Sequence, residues 1–261
     1  MNLSGLQRLE GKDIRANRFR EGLSKTEFQA EFRVVAATDA NMVQAWRDLA
    51  AQASEPNIFY EQWFLRPALA QFELHPEMRL FLLWAGAAGH SQLLGLLPIS
   101  PAHRFGRWPV PHIQNWMHHN CFLGTPLVRK GFEEVFWQQL LVGLDQSNWP
   151  GFLHINGMTI GGPLDQAMRE VCGQQKRRCD LVHSEARAFL QSPLGAEAYL
   201  QANVCGKKRK ELRRQAKRLD ELGKVTFGHQ TDARCLEQWI DEFLRLEKTG
   251  WKGLGGSALD S

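Results

Sequence analysis

The chain has 261 residues, 43% hydrophobic and 10% aromatic, which is enough apolar material for one large domain or two ordinary ones and excludes disorder of the whole chain. A formal net charge of only +4 excludes a protein that binds nucleic acid over its whole surface. The five cysteines include no Cys-x-x-Cys pair, so they indicate reduced thiols rather than a disulfide framework or a zinc knuckle.

Two further features bear on location. The first 29 residues are polar and mixed in charge, without the apolar core of a secretory signal. The most apolar stretches, residues 80–88 and 93–99, are each too short to span a bilayer. We therefore expect a soluble, cytoplasmic protein.

The first part of the chain predicts a flexible tail followed by strands and helices. Residues 1–29 have few large apolar residues in any period and are interpreted as the tail. We expect Pro67 to kink a helix, and Pro98 and Pro101 to end a strand. The elements predicted from hydrophobic periodicity are a strand at 31–38, helices at 39–53 and 59–72, and hairpin strands at 79–84 and 92–99.

The next part predicts the remainder of a first domain. Gly162 followed by Pro163 is the glycine-then-proline start typical of a helix. The predicted elements are a strand–loop–strand at 109–128, an amphipathic helix at 131–145, a strand at 152–155, a helix at 163–172 and an extended segment at 178–190.

From residue 194 the sequence changes character. It predicts a helix at 194–203, a long basic helix at 207–222, a strand at 224–229, a helix at 232–246 and a Gly-rich end at 250–261. The last strand and helix have an apolar face but no following element to bury it. We therefore predict a tail at 1–29, a complete first domain at 30–192 and the beginning of a second domain at 193–261.

The predicted basic helix is the clearest functional candidate. Like charges at helical spacing destabilise a helix, so the cluster either stays solvated or meets an anion such as a phosphate, an acidic lipid surface or a nucleic acid. The first seven of its basic residues are candidate anion-binding residues. The cluster consists of Lys207, Lys208, Arg209, Lys210, Arg213, Arg214, Lys217 and Arg218.

A second candidate is a polar run after the predicted strand near residue 112. Asn115, His118, His119 and Asn120 could line a pocket, with one histidine as a general base, or the histidines could be ordinary core or hairpin residues. On an extended strand the two histidines would point to opposite faces and could not ligate one metal, so no metal site is predicted.

Two glycine-containing segments resemble ligand-binding motifs. Residues 157–162 lie between a predicted strand and helix, where an anion could bind, but an ordinary turn is the favoured interpretation. Residues 253–258 match Gly-x-Gly-x-x-Ala but follow a helix rather than a strand, which argues against a dinucleotide site.

Several segments together resemble one protein family. Residues 207–227 (KKRKELRRQAKRLDELGKVTF) resemble the segment that opens the second half of FemAB/CelD-like GNAT-type N-acyltransferases. Residues 57–64 (NIFYEQWF) and 119–128 (HNCFLGTPLV) resemble parts of the first half, and Phe243–Glu247 with Gly250–Gly253 extends the similarity. It spans about residues 31–259, and Trp251 and Lys252 within it join the pocket candidates.

The resemblance implies an α/β fold of two tandem GNAT-like units, each a mixed sheet flanked by helices. The first unit would be complete and the second truncated, because the family's acyl-donor cleft would follow the position of Leu259. It also implies transfer of an acyl group from acetyl-CoA, another acyl-CoA or an aminoacyl-tRNA to a small-molecule or envelope-precursor amine. Cell-envelope or exopolysaccharide metabolism is the expected setting, and the catalytic residues stay unassigned.

Two alternatives stay open at this point. The chain could be a non-catalytic module whose basic helix docks acidic lipid or RNA, although few aromatic residues accompany the basic run. It could also be an inactive truncated product, which an exposed apolar face would favour.

Overall fold

The computed structural model describes residues 28–34, 40–72, 74–86, 92–188, 190–230 and 232–259. Most of the predicted tail lies outside the described residues, as do residues 35–38 of the first predicted strand. Phe28 and Gln29, which the tail prediction included, instead begin that strand. The chain divides into two compact units, Met1–His183 and Ser184–Ser261. The domain boundary that we place at residues 192 and 193 stays a prediction.

The described part of the first unit alternates strands and helices, largely where the hydrophobic pattern predicts them. Pro67 lies inside the second helix, and a short 3₁₀ turn at Ile58–Tyr60 precedes that helix. The elements in chain order are β1 (Phe28–Val34), α1 (Ala40–Ala51), α2 (Gln62–Gln71), β2 (Arg79–Ala85), β3 (Gln92–Ala102), β4 (His112–Asn115), β5 (Leu127–Val128), α3 (Glu133–Asp145), β6 (Leu153–His154) and α4 (Pro163–Gln174).

These strands form one mixed sheet. Its order is β1-β2-β3-β4-β6, and β5 pairs with β3. All pairs are antiparallel except β4 and β6, which run parallel. Parallel neighbours need a crossover connection, and here helix α3 lies between β5 and β6 in the chain. The fold class is α/β, a mixed sheet flanked by helices.

The hydrophobic core lies around the central strands. Strand β3 is buried on both faces from Leu93 to Ser100, which explains why its sequence is a nearly continuous apolar run rather than an alternating one. Trp46 of α1 and Phe136 of α3 are both fully buried in this core. A Cβ on Gly95 would lie 2.3 Å from the ring of Phe136, so the glycine permits the close approach of α3 to the sheet.

The prediction that Pro98 and Pro101 end the second hairpin strand is wrong, because β3 continues to Ala102. Pro98 still contributes to the sheet through its carbonyl oxygen, which accepts a hydrogen bond from the backbone nitrogen of Trp116 at 2.8 Å. Beyond Ile99, β3 pairs with β4 but no longer with β2 in the described residues. Proline has no backbone N–H to donate, so it is tolerated at position 101, where the strand has a neighbour on only one side.

The regular elements in the described part of the second unit are all helices. Its helices are α5 (Ala196–Asn203), the basic helix α6 (Gly206–Leu222), α7 (Leu236–Thr249) and the short α8 (Trp251–Leu254). The prediction of a strand at residues 224–229 is wrong, since these residues form no regular structure. A strand needs a neighbour to satisfy its backbone hydrogen bonds, and the described part of this unit contains no strand that could pair with it.

The apolar side chains of the second unit are largely exposed. On α7 the exposed residues are Leu236, Trp239, Ile240, Phe243 and Leu246, with exposed fractions from 46% to 64%. The sequence predicts this face, and in the described residues no helix residue of the unit is fully buried. None of the helices in the described ranges is long and apolar enough to cross a membrane.

Candidate functional site

Three places in the first unit are ones where α/β folds commonly bind ligands. One is the carboxyl end of the parallel strands β4 and β6, where the sheet changes from antiparallel to parallel pairing. The other two are the N-termini of α3 and α4, where backbone N–H groups and the helix dipole favour an anion. The side chains around each of these places determine whether a ligand could enter.

The carboxyl end of β4 and β6 is bridged by the buried side chain of Asn115. Its Oδ1 accepts from the backbone nitrogen of Asn156 at 2.7 Å, and its Nδ2 donates to the carbonyl oxygen of the same residue at 3.0 Å. Nδ2 also lies 3.0 Å from the carbonyl oxygen of Gly124. A Cβ on Gly124 would lie only 1.9 Å from the Asn156 carbonyl oxygen, so the space is already filled.

A buried polar network extends from this bridge. The hydroxyl of Tyr60 accepts from Asn115 Nδ2 at 3.2 Å and donates to the carbonyl oxygen of Trp116 at 3.0 Å. Asn57 Nδ2 donates to the carbonyl oxygen of Thr125 at 2.7 Å, and Asn57 Oδ1 accepts from the backbone nitrogen of Phe59 at 3.0 Å. Burial is the main cause that raises the pKa of Tyr60, so the hydroxyl stays protonated.

Sequence reasoning did not single out Asn57 or Tyr60 as individually important. Both lie in the segment 57–64 that carries part of the family resemblance, which is the available signal. Their contacts join residues 55 or more positions apart in the chain. No local pattern reports such pairings, and the network is best explained as a satisfied structural core.

Carboxylates of the protein itself lie at the N-termini of α3 and α4. Both carboxylate oxygens of Glu133 accept from the backbone nitrogen of Gly131, at 3.1 and 2.9 Å. At α4, Asp165 Oδ2 accepts from the nitrogen of Gly161 at 2.8 Å, and Glu55 Oε2 accepts from that of Leu164 at 3.0 Å. The carboxylates of Asp165 and Glu55 therefore lie beside residues 157–162, where they would repel an anion.

The predicted pocket residues of the first unit do not converge on one cavity. His118 is stacked between Phe64 and Phe72, with ring centroids 5.7 and 4.7 Å away, while His119 and Asn120 are exposed in a turn. This turn, rather than the extended strand of the sequence interpretation, follows β4. In the described residues, no group of three or more His, Cys, Asp and Glu side chains could hold a metal ion.

The environment of His118 argues against a general base. Its Nδ1 accepts from the backbone nitrogen of Asn120 at 3.2 Å, so we assign the proton to Nε2. Nε2 is buried and has no hydrogen-bond partner in the described structure. Burial, and secondarily His119, lowers the pKa of His118, so the ring is neutral at pH 7. The interpretation as a packed histidine is favoured.

In the second unit, Arg209 of the basic helix has a structural partner. Its Nη1 donates to the carbonyl oxygens of Leu200, Gln201 and Val204, at 3.4, 2.8 and 2.6 Å. These carbonyls lie at the C-terminus of α5, where the last oxygens have no partner within the helix. A cation there also complements the helix dipole. Arg209 therefore joins α5 to α6 through Nη1.

Arg214 is also engaged, through an ion pair with Glu211 whose closest distance is 2.7 Å. This pair is the main cause that lowers the pKa of Glu211, and Lys208 contributes to the same shift. The remaining basic side chains form neither a salt bridge nor a side-chain hydrogen bond within the described residues. Five of these six side chains share one side of the helix, and we call them the basic face of α6; they are Lys207, Lys210, Arg213, Lys217 and Arg218. The sixth, Lys208, lies on the side of Leu212.

The basic face lies opposite the apolar side of α6. At 100° per residue its five cations fall within about 140° of the helix circumference, and Leu212 and Leu219 lie on the other side. These leucines, which the sequence marks as the buried side, are 41% and 53% exposed. The five cations of the basic face form no salt bridge within the described residues, although Glu221 lies in the same arc near the end of the helix. The basic face is the candidate anion-binding surface of the chain.

Trp251 and Lys252 belong to α8 of the second unit. Trp251 is 77% exposed, whereas Lys252 forms an ion pair with Glu247 at the end of α7. The carboxylate of Glu247 also accepts from the backbone nitrogen of Leu259 at 3.0 Å. Lys252 therefore holds α8 and the following turn against α7, which leaves Trp251 as the accessible member of the pair.

Comparisons with known proteins add the following. No family model and no curated protein matches the sequence. Among solved structures, a ribosomal-protein-alanine N-acetyltransferase from Brucella melitensis biovar Abortus 2308 is similar over 62% of this chain and 99% of its own, with 16% sequence identity and a TM-score of 0.35. These comparisons do not assign the chain to a family.

Proposed function

We propose that this chain is an N-acyltransferase of the FemAB/CelD-like GNAT-type group, which transfers an acyl group from acyl-CoA or an aminoacyl donor to an amine. The observation that carries the proposal is the sheet of the first unit. Its antiparallel strands lead to one parallel pair, β4 and β6, with α3 between β5 and β6 in the chain. A mixed sheet flanked by helices is the architecture that the sequence resemblance implies for this unit.

The donor is proposed to bind outside the three ligand-prone places of the first unit. Asn115 fills the end of the parallel pair, and the carboxylates of Glu133, Glu55 and Asp165 lie at the two helix N-termini. Carboxylates at these positions would repel the phosphates of a CoA molecule or the backbone of a tRNA. The basic face of α6 has the opposite charge and is the surface proposed to contact such a donor.

The chemistry sets two further requirements. The accepting amine must lose a proton before or during attack on the acyl carbonyl, which needs a base or a chain of water molecules. The tetrahedral intermediate then needs hydrogen-bond donors for its oxyanion. His118 does not meet the first requirement with its present hydrogen bonds, so the proposal assigns no catalytic residue. An amine substrate from cell-envelope or exopolysaccharide metabolism remains part of the proposal.

A second candidate function is a non-catalytic module that binds an anionic partner through the basic face. The observation that favours it is the same strip of five exposed cations, which form no salt bridge with the rest of the described chain. Because counterions are released when such a strip meets a polyanion, binding would weaken steeply as salt is added. Acyl transfer is not needed to explain this surface.

The two candidates are distinguished by one set of experiments on the 261-residue chain. Thermal unfolding is followed with acetyl-CoA, with an aminoacyl-tRNA and with heparin, and transfer of labelled acetyl or aminoacyl groups to a panel of amines is measured in parallel. The variant Lys207→Gln/Lys210→Gln/Arg213→Gln tests the basic face, and Lys224→Gln, also exposed but outside α6, is the matched control.

The acyltransferase proposal expects stabilisation by a donor, loss of that stabilisation in the triple variant but not in the control, and label on an amine. Salt-sensitive binding to heparin without any acyl transfer would favour the binding module instead. No stabilisation by any donor and no transfer to any amine would contradict the acyltransferase proposal.

A further inference from the structure

A groove beside α2 in the first unit is not explained by the proposed function. Its volume is about 750 Å³, within the range of roughly 300–1,000 Å³ typical of small-molecule sites. One wall is the exposed side of α2, and the other is the segment that leads into β2. The residues that define its character are Trp63, Arg66, Leu69, Leu74, His75 and Met78.

The walls of the groove are mostly apolar. Leu69 and Met78 are buried at its base, and Trp63 is 55% exposed at its side. The indole nitrogen of Trp63 donates to Glu61 at 2.8 Å, which fixes the ring with its apolar face available. A bound molecule would therefore bury most of its surface against hydrocarbon and an aromatic ring.

Two side chains that can donate hydrogen bonds, Arg66 and His75, accompany this apolar surface. Arg66 is exposed on the groove side of α2 and forms no salt bridge within the described residues. His75 Nδ1 accepts from the backbone nitrogen of Glu77 at 3.2 Å, so its Nε2 is the remaining donor. Among the described residues that line the groove there is no aspartate or glutamate. The described lining therefore combines apolar walls with one cation, Arg66.

We propose that this groove binds an amphipathic carboxylate, a molecule with an unbranched apolar body and one anionic end group that pairs with Arg66. An Arg guanidinium matches a carboxylate in both charge and geometry. The apolar body lies along Trp63, Leu69 and Met78. The proposal does not depend on acyl transfer, because all of its residues belong to the first unit and none to the basic face.

The test compares two soluble ligands that share a ten-carbon chain and differ in charge, decanoate and decyltrimethylammonium, by calorimetric titration below their micelle concentrations. Arg66→Gln removes the guanidinium, and Arg47→Gln, an exposed arginine of α1 outside the groove, is the matched control. Ala70→Trp fills the groove from an exposed position on α2, so it obstructs binding without disturbing the core.

We expect the wild-type chain to prefer decanoate over decyltrimethylammonium. Arg66→Gln should weaken decanoate binding by about fivefold, as for a solvent-accessible ion pair, and leave the cationic ligand unaffected. Ala70→Trp should abolish binding of both ligands, and Arg47→Gln should change neither. Equal affinity of the wild-type chain for the two ligands, or undiminished decanoate binding by Ala70→Trp, would overturn the proposal.

Discussion

The carboxamide of Asn115 forms two hydrogen bonds with the backbone of Asn156, one accepted by Oδ1 at 2.7 Å and one donated by Nδ2 at 3.0 Å. In this way a side chain continues the pairing of β4 with β6 beyond the last paired residues of the two strands. The same bridge closes the place where a parallel strand pair would otherwise offer backbone groups to a ligand. Asn115 therefore both joins the ends of β4 and β6 and fills the space where a ligand could reach them.

Replacing Asn115 with alanine should destabilise the first unit. The change leaves the nitrogen and carbonyl oxygen of Asn156 and the carbonyl oxygen of Gly124 without their partner, and we expect a loss of about 3 kcal/mol in the free energy of unfolding. Urea unfolding of Asn115→Ala measures it, with Asn120→Ala, at an exposed turn position, as the control. A loss no greater for Asn115→Ala than for the control would show that the bridge contributes little.

The close packing around Gly124 predicts a second effect. A Cβ at this position would lie 1.9 Å from the Asn156 carbonyl oxygen and 2.2 Å from Asn115 Nδ2, so Gly124→Ala must displace backbone. We expect destabilisation by about 3 kcal/mol or failure to fold. Thermal unfolding of the variant measures this effect. At Gly151 an added Cβ meets no atom within 4 Å, so Gly151→Ala, the control, should leave the melting temperature nearly unchanged. Similar melting temperatures for the two variants would contradict this packing.

Neighbouring arginines of α6 should behave differently. Arg209→Gln removes a cation from three carbonyls at the end of α5, so it should lower the melting temperature of the second unit followed by circular dichroism. Arg213→Gln should leave the melting temperature unchanged and elute earlier from a heparin column, since Arg213 belongs to the basic face. If instead Arg213→Gln lowers the melting temperature and Arg209→Gln elutes earlier from heparin, Arg209 is the anion contact.

Two histidines predict how stability depends on pH. Burial lowers the pKa of both His118 and His154 below the ordinary value of 6.5, with His119 and His112 as the second causes. Below about pH 6.5 the unfolded chain therefore binds protons that the folded chain excludes, and the free energy of unfolding falls as the pH decreases. Above that pH the full stability is present.

Urea unfolding at several values between about pH 5 and pH 7.5 measures this slope. His118→Phe preserves the stack with Phe64 and Phe72 and should reduce the slope, whereas the exposed control His119→Gln should leave most of it. An unchanged slope in both His118→Phe and His154→Phe would show that other groups are responsible.

The local sequence predicted several elements well, and the failures have identifiable causes. The strands β2 and β3 were predicted because both are nearly continuous apolar runs separated by a glycine-rich turn. The strand expected at residues 224–229 does not form, because a strand requires a partner, which an alternating pattern cannot supply. Pro98 does not end β3, because its carbonyl oxygen still accepts from Trp116.

Some features of the candidate sites were also visible in the sequence, and others depended on the tertiary structure. The basic face was visible in the sequence, because residues three and four positions apart share one side of a helix. The role of Arg209 was not, since it depends on the turn that brings the end of α5 within reach. The cap that Glu55 provides for α4 was not visible in the sequence either. Its hydrogen-bond donor, the backbone nitrogen of Leu164, lies 109 positions away from Glu55 in the chain.

The sequence by itself determined where helices form, which apolar runs enter the core and where positive charge accumulates, because these properties depend on near neighbours in the chain. Tertiary structure alone decided which polar groups have hydrogen-bond partners within the protein and which face solvent. Asn115 and Glu55 fill two places where a ligand could bind, whereas the groove beside α2 and the basic face of α6 are accessible. The physical reason is that a hydrogen bond is satisfied by proximity in space, whatever the separation along the chain.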